Sequence, residues 1–166
     1  LDENAGGGSM RIEQMSQTTY DAYLPVAIDE YAAEKCRAGT WSENEALEKA
    51  TEEFATLLPE GLKTKDHYLF TFRDETGNDL GMVWVHVTEE SRGRCAFIFD
   101  VKITSDKQNQ GYGKEALRLL EVMLKRMNVK KISLHVFAHN ERAIHVYDSL
   151  GYETTDYHMS KSLMDE

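Results

Sequence analysis

Asp106-Lys107-Gln108-Asn109-Gln110-Gly111-Tyr112-Gly113-Lys114 is the stretch on which the fold turns. An apolar run, Ala96 to Thr104, leads into it as a buried strand would, and a strongly periodic segment, Gly113 to Asn128, leads out as a helix. A strand, a glycine turn and a helix N-terminus together make a place for an anion. The first N–H groups of a helix lack internal partners, and the helix dipole favours negative charge beside them. Gly111 and Gly113 carry no Cβ, so a ligand oxygen can approach the main chain. The same G-x-G also suits a plain strand-to-helix turn, and the neighbouring segments must decide.

Downstream, Ala116, Leu117, Leu120, Met123, Leu124 and Met127 share one helical stripe. Lys130 to Phe137 follows with Ile132, Leu134 and Val136 alternating, the period of a strand. Strand, helix and strand of these lengths form a crossover, which predicts a parallel pair. Asn140 opens a further helix with Ala143, Ile144, Tyr147 and Leu150 inward, Gly151 stops it, and Tyr152 to Met159 reads as a last strand.

Upstream, three strands precede the glycine turn. His67 to Arg73 is followed by the turn Asp74-Glu75-Thr76-Gly77-Asn78-Asp79, then by Leu80 to Val87. After the polar turn Glu89 to Gly93, Arg94 to Thr104 completes an antiparallel meander. Before the meander stand two helices, Thr18 to Ala38 and one opened by the capping box Ser42-Glu43-Asn44-Glu45. Thr18 and Asp21 resemble a cap for the first, and Pro25 is expected to kink it or to mark its true start. Arg11 to Met15 is a candidate first strand. The fold class is therefore mixed α/β, an α+β arrangement in which an antiparallel meander is followed by a βαβ crossover, with helices on both faces.

The 166 residues suffice for one domain, burying roughly 70% of the surface of the unfolded chain. Leu1 to Ser9 reads as an appended tag remnant, leaving residues 10–166 as a single domain. A formal charge of −10 argues against a nucleic-acid or anionic-membrane binder and is compatible with a cationic partner such as an amine. No apolar run reaches transmembrane length. Cys36 and Cys95 stand far apart without metal-ligand spacing, so the expectation is two reduced thiols, a cytoplasmic location and no metal.

Gln108-Asn109-Gln110-Gly111-Tyr112-Gly113 fits the Gln/Arg-x-x-Gly-x-Gly/Ala signature of the GNAT superfamily of N-acetyltransferases. Asn140, Ala143, Tyr147 and Gly151-Tyr152 resemble its second signature, Asn-x-x-Ala-x-x-x-Tyr-x-x-x-Gly-Phe/Tyr. The resemblance extends from Met10 to Met159. More narrowly, Glu34-Lys35 to Trp41 and Leu134 to Asn140 resemble a small bacterial branch of uncharacterised members, the YycN type. What the resemblance implies is a GNAT fold and acetyl-CoA as co-substrate. Its pyrophosphate would lie on the main chain of Gln108, Asn109, Gln110, Gly111, Tyr112, Gly113 and Lys114. Its pantetheine arm would pair along Val101, Lys102 and Ile103 like an added strand. Asn140 matches the position that contacts that arm or orients the next helix, where it also suits an N-cap, and Ala143 stands with it in the same signature. The family often carries arginine where this chain has Gln110, which leaves the main chain as the principal source of grip.

The implied reaction is direct acetyl transfer from the thioester to a primary amine of a small molecule or protein. Such an amine must be neutral to attack, and with a pKa of about 10.4 roughly one in a few thousand is neutral at pH 7. The oxyanion needs donors, for which a main-chain N–H near Val101 is the candidate, and the departing thiolate needs a proton. The family assigns that proton to the tyrosine matching Tyr147. The glutamate base of its histone-acetylating branch falls at Phe97 here and is absent. Asp100 is the nearest carboxylate on the strand: it either accepts a proton through water or orients the loop and pairs with a lysine, and Glu34, His86, His135 and His139 are further candidate bases. Tyr31, Glu34, Trp41, Trp84 and His135 are the candidate acceptor-binding residues, because aromatic faces and carboxylates suit a cation. Glu30 is a further source of charge. The expected partners are an amine-bearing acceptor and, as a candidate assembly, a second copy in a homodimer. A non-catalytic acyl-CoA-binding or sensing module of the same fold is the alternative. A Rossmann-type nucleotide domain is disfavoured, since its glycine turn follows the first strand of a parallel series.

Overall fold

The computed structural model describes residues 10–104, 107–108 and 111–164. The chain divides into two compact units, Leu1–Leu134 and His135–Glu166.

In the first unit the order is β1 (Arg11–Gln14), α1 (Gln17–Arg37), α2 (Glu43–Leu57), a short 3-10 turn, β2 (His67–Arg73), β3 (Asp79–Glu90), β4 (Gly93–Ile103), α3 (Tyr112–Arg126) and β5 (Val129–Leu134). The strands form one sheet in sequence order. The pairs from β1 to β4 are antiparallel, and β4 to β5 is parallel, the meander and crossover expected.

Alternation along β3 sorts the sheet into two faces. Met82 and Trp84 point toward α1 and α2, where they join Leu69, Tyr20, Ala27, Phe54 and Leu58 in one cluster. Val83 and Val85 point the other way and are fully buried. On α3 the stripe Ala116, Leu117, Leu120 and Leu124 is buried, and the helix packs on β1, β4 and β5. Each such buried leucine or valine contributes about 1.5–3 kcal/mol from leaving water.

Three local expectations are corrected. Ser16, not Thr18, caps α1: its Oγ accepts from the Thr19 N–H at 3.1 Å. Pro25 lies inside α1 and does not mark its start. Tyr152 to Met159 is not a strand, because a strand exists only with a hydrogen-bonded neighbour, and no backbone bond ties Glu153–Leu163 to another element among the described residues. On α2, the Ser42 N–H donates to Glu45 Oε1 at 3.2 Å, the glutamate half of the expected capping box.

The second unit holds α4 (Glu141–Ser149), followed by residues 152–164, which form neither helix nor strand. Asn140 is the N-cap of α4, and Gly151 takes a positive φ of 92° just after it, as a helix stop requires.

Candidate active site

The sheet is interrupted where β4 passes Trp84. Trp84 pairs with Asp100 and Val85 with Ile98, so Phe99 is an extra residue in β4, a β-bulge. The bulge resets the alternation. Phe99 stacks on Trp84 with ring centroids 4.7 Å apart, while the next residue, Asp100, reaches Tyr23 of α1, so two consecutive side chains serve one face. The parallel pairing with β5 ends just before it, at Ile98–Leu134. From Asp100 to Ile103, β4 keeps β3 on one side and has no β5 partner on the other among the described residues. An open main-chain edge thus includes Val101, Lys102 and Ile103, the residues expected to pair with an extended ligand.

That edge leads to the glycine turn. Gln108 Nε2 donates to the Ile103 carbonyl at 3.0 Å, folding the turn back on the strand. Asn109 and Gln110 lie outside the described residues. Gly111 is the N-cap of α3 with φ +79°, and a Cβ there would meet nothing within 4 Å. The space in front of the turn is open on this side. The first helical bond runs from the Glu115 N–H to the Gly111 carbonyl at 3.3 Å. Helix geometry therefore leaves the N–H groups of Tyr112, Gly113 and Lys114 without an intrahelical acceptor. This donor set fits a pyrophosphate, with Lys114 adding a cation in the first turn.

Asp100 is half-buried. Tyr23 donates its phenolic O–H to Asp100 Oδ2 at 2.7 Å. Burial pushes the Asp100 carboxyl up from its ordinary range, the Glu34 charge pushes the same way, and the Tyr23 and Val101 hydrogen bonds pull it down. The Val101 N–H expected for an oxyanion thus already acts on a resident carboxylate. Burial, followed by the Asp100 charge, drives the Tyr23 phenol far up, so it stays a neutral donor. Two residues further on, Lys102 pairs with Glu30 of α1. Burial lowers the pKa of that lysine.

The candidate acceptor residues fall in different places. Trp84 is only 2% exposed and donates Nε1–H to His67 Nδ1 at 3.0 Å, so it belongs to the core. The aromatic face that stays open above it is that of Phe99, 39% exposed, with Phe97 beside it at 5.3 Å. His67 and His86 stack at 4.1 Å next to this patch. Tyr31 and Trp41 meet edge to face at 5.6 Å, and both faces carry a cation from the chain itself: Lys35 Nζ lies 5.4 Å from one ring and 5.6 Å from the other. Tyr31 also donates to Glu53. Glu34 acts on Asp100 through its charge.

In the second unit, Asn140 Oδ1 accepts from the Ala143 N–H at 3.3 Å, an N-cap bond that joins two signature residues. Tyr147 packs against Tyr152 at 5.5 Å, and burial raises its pKa, which keeps it protonated. His135 stands edge to face with Phe137 at 4.9 Å.

Sequence reasoning missed Tyr23, Phe99 and His67. Tyr23 looked like one more apolar position of an amphipathic helix. The Phe97-Ile98-Phe99-Asp100 run carries no glycine or proline to announce a bulge. The alternation of β3 could have placed Trp84 in the core, since Met82 and Trp84 share the helix-covered face.

Residues 28–152 match the model of the Acetyltransferase (GNAT) family. The chain is 35% identical to the uncharacterised N-acetyltransferase YycN of Bacillus subtilis over 93% of its own length and 99% of that protein. It is 28% identical to a second uncharacterised N-acetyltransferase of the same organism, YdgE, over 92% and 97%. The crystal structure of YycN superposes with a TM-score of 0.87, covering 94% of this chain and 99% of the other.

Proposed function

This chain belongs to the GNAT family of acetyltransferases, and from that premise we propose that it transfers the acetyl group of acetyl-CoA directly to a primary amine of a small molecule or protein. The observation that carries this reading is the open edge of β4, which runs from the bulge at Phe99 to Ile103 and on into the bare helix start at Gly111. Acetyl-CoA supplies an activated thioester. The chain supplies main-chain pairing for its arm at Val101 to Ile103 and donors for its phosphates at Gly111 to Lys114. Asn109, Gln110, Asn140 and Ala143 complete the binding set by their match to the family signatures.

Asp100 is the base: it takes the proton that the acceptor ammonium must lose before nitrogen can attack. A carboxylate pushed upward by burial is a stronger base than one in water. Tyr147 is the acid, giving its phenolic proton to the departing sulfur. The acceptor rests on the β4 side of the sheet, its apolar part on Phe99 and its charge on Asp100 and Glu34. Trp84, stacked on Phe99, supports that region from the core.

We place the protein in a bacterial cytoplasm, acting as one catalytic domain of residues 10–166 and assembling as a homodimer. Both cysteines are free thiols, and no helix among the described residues is long and apolar enough to cross a membrane. A thiol-release assay with acetyl-CoA and a panel of primary amines tests the activity. Turnover of at least one amine is expected. Tight binding of CoA with no transfer to any amine would leave the non-catalytic module in its place.

A further inference from the structure

We propose that Tyr23 is a positioning residue of the reaction: its phenol holds Asp100 Oδ2 at 2.7 Å and so fixes the orientation in which the carboxylate takes the acceptor's proton. The proposal rests on the reading of Asp100 as the base. A carboxylate just past a bulge has two equivalent oxygens and a rotatable bond. A productive base needs one oxygen held toward the amine, because proton transfer demands heavy-atom distances of about 2.6–3.2 Å. A phenol on a packed helix is a suitable clamp. Tyr23 is fixed in the cluster formed by Tyr20, Ala27, Phe54 and Trp84, so the hydrogen bond joins α1 to the bulge of β4 across 77 residues of sequence.

The clamp also opposes the upward push that burial gives the Asp100 carboxyl. The groups around Asp100 are Tyr23, Glu30 and Glu34 on α1, Lys102 on β4, and His67 and His86 across the aromatic patch from β2 and β3. Glu30 and Lys102 satisfy each other. The two histidines lie against each other and against Phe99. Tyr23 and Glu34 are the two side chains that act on Asp100, and they act in opposite directions. Glu34 disfavours the carboxylate by like charge, and Tyr23 favours it by donating a hydrogen bond. Removing Tyr23 must raise the Asp100 pKa and removing Glu34 must lower it. Activity requires the deprotonated carboxylate, so the acid limb of the rate profile moves with the pKa in each case.

The experiment follows Asp100 directly in 13C-aspartate-labelled protein, assigning its carboxyl signal by its loss in Asp100→Asn. The same variants are assayed for acetyl transfer from acetyl-CoA to spermidine, tyramine and a peptide α-amine. The titration midpoint is expected to rise in Tyr23→Phe and to fall in Glu34→Gln. The acid limb of kcat/KM should follow both shifts. Tyr23→Phe should lose about tenfold in kcat at pH 7 with the KM for acetyl-CoA unchanged. An Asp100 midpoint unmoved by Tyr23→Phe, with Asp100→Asn inactive, overturns the clamp and leaves the base. Full acetyl transfer by Asp100→Asn overturns the base itself, and the clamp with it. If Tyr23→Phe does not fold, Glu34→Gln still decides: a midpoint that stays put or rises removes the opposed pair on which the proposal stands.

Discussion

A methyl group at Gly81 would sit 2.1 Å from the Lys102 carbonyl oxygen. That contact is backbone on backbone, so neither side can rotate away, and the end of β4 would have to move. Gly81→Ala is expected to cost about 1–3 kcal/mol in chemical denaturation and to weaken acetyl-CoA binding, since Lys102 lies on the open edge. Gly111 shows the opposite case. Its Cβ position is empty, yet φ is +79°. Gly111→Ala should therefore cost only about 1 kcal/mol of backbone strain and bind CoA nearly as well. Gly111→Asp adds a charge facing the phosphates and should lose about tenfold or more in affinity by titration calorimetry. Equal affinities for the two variants would move the phosphates elsewhere. For Tyr147, a phenol kept protonated by burial, replacement by phenylalanine should cut turnover about a hundredfold while acetyl-CoA affinity holds. An unchanged rate would end its role as acid.

Strands and helices were readable wherever one face is buried and the other wet, because burial writes a period into the residues. α3 carries its apolar stripe through Leu120 and Leu124, and β2 runs from His67 to Arg73 as expected even though Leu69 to Phe72 are buried on both faces. What stayed illegible depends on partners. Tyr152 to Met159 has the residues of a strand, but its strand character requires a neighbour that sequence does not name. The bulge at Phe99 is set by register against β3, not by any residue in the run itself. The glycine turn was legible as a motif, while the Tyr23–Asp100 bond joins two positions that no local pattern links. The turn between β2 and β3 was legible by composition, and its working residue is Asp74. This carboxylate accepts from the N–H groups of Thr76 and Asn78 at 2.9 Å each. Those bonds hold its pKa down at about 2. A depressed carboxylate stabilises the fold above its unfolded value of about 3.9 and loses that contribution as pH falls toward 2. Asp74→Ala should thus lower Tm at pH 5–7, and the gap from the wild type should close as both are titrated to pH 2. A gap that persists at pH 2 would mean that the turn is held by something other than this charge.

Considered whole, the chain distributes its burial unevenly. The first unit contains every buried side chain, from Met10 to Val129, while α4 and the segment after it contain none among the described residues. Yet the second unit is not polar. Ala143, Ile144, Tyr147 and Leu150 give α4 an apolar stripe, and Tyr157, Met159, Leu163 and Met164 stand 83–87% exposed. Exposed apolar side chains gathered in one segment mark an interaction surface. The homodimer we propose gives this surface a use with no second kind of protein. Light scattering on the eluting peak should return twice the 19.0 kDa chain mass at micromolar concentration. Tyr157→Ser with Met159→Ser should shift the balance toward the single chain, because each buried apolar side chain removed from an interface costs about 1.5–3 kcal/mol. The first unit's melting should be unaffected, since neither residue is part of its core. A wild-type chain that stays at 19.0 kDa across the concentration range would rule the dimer out, and a double variant that dimerises as well as the wild type would move the interface away from the C-terminal segment.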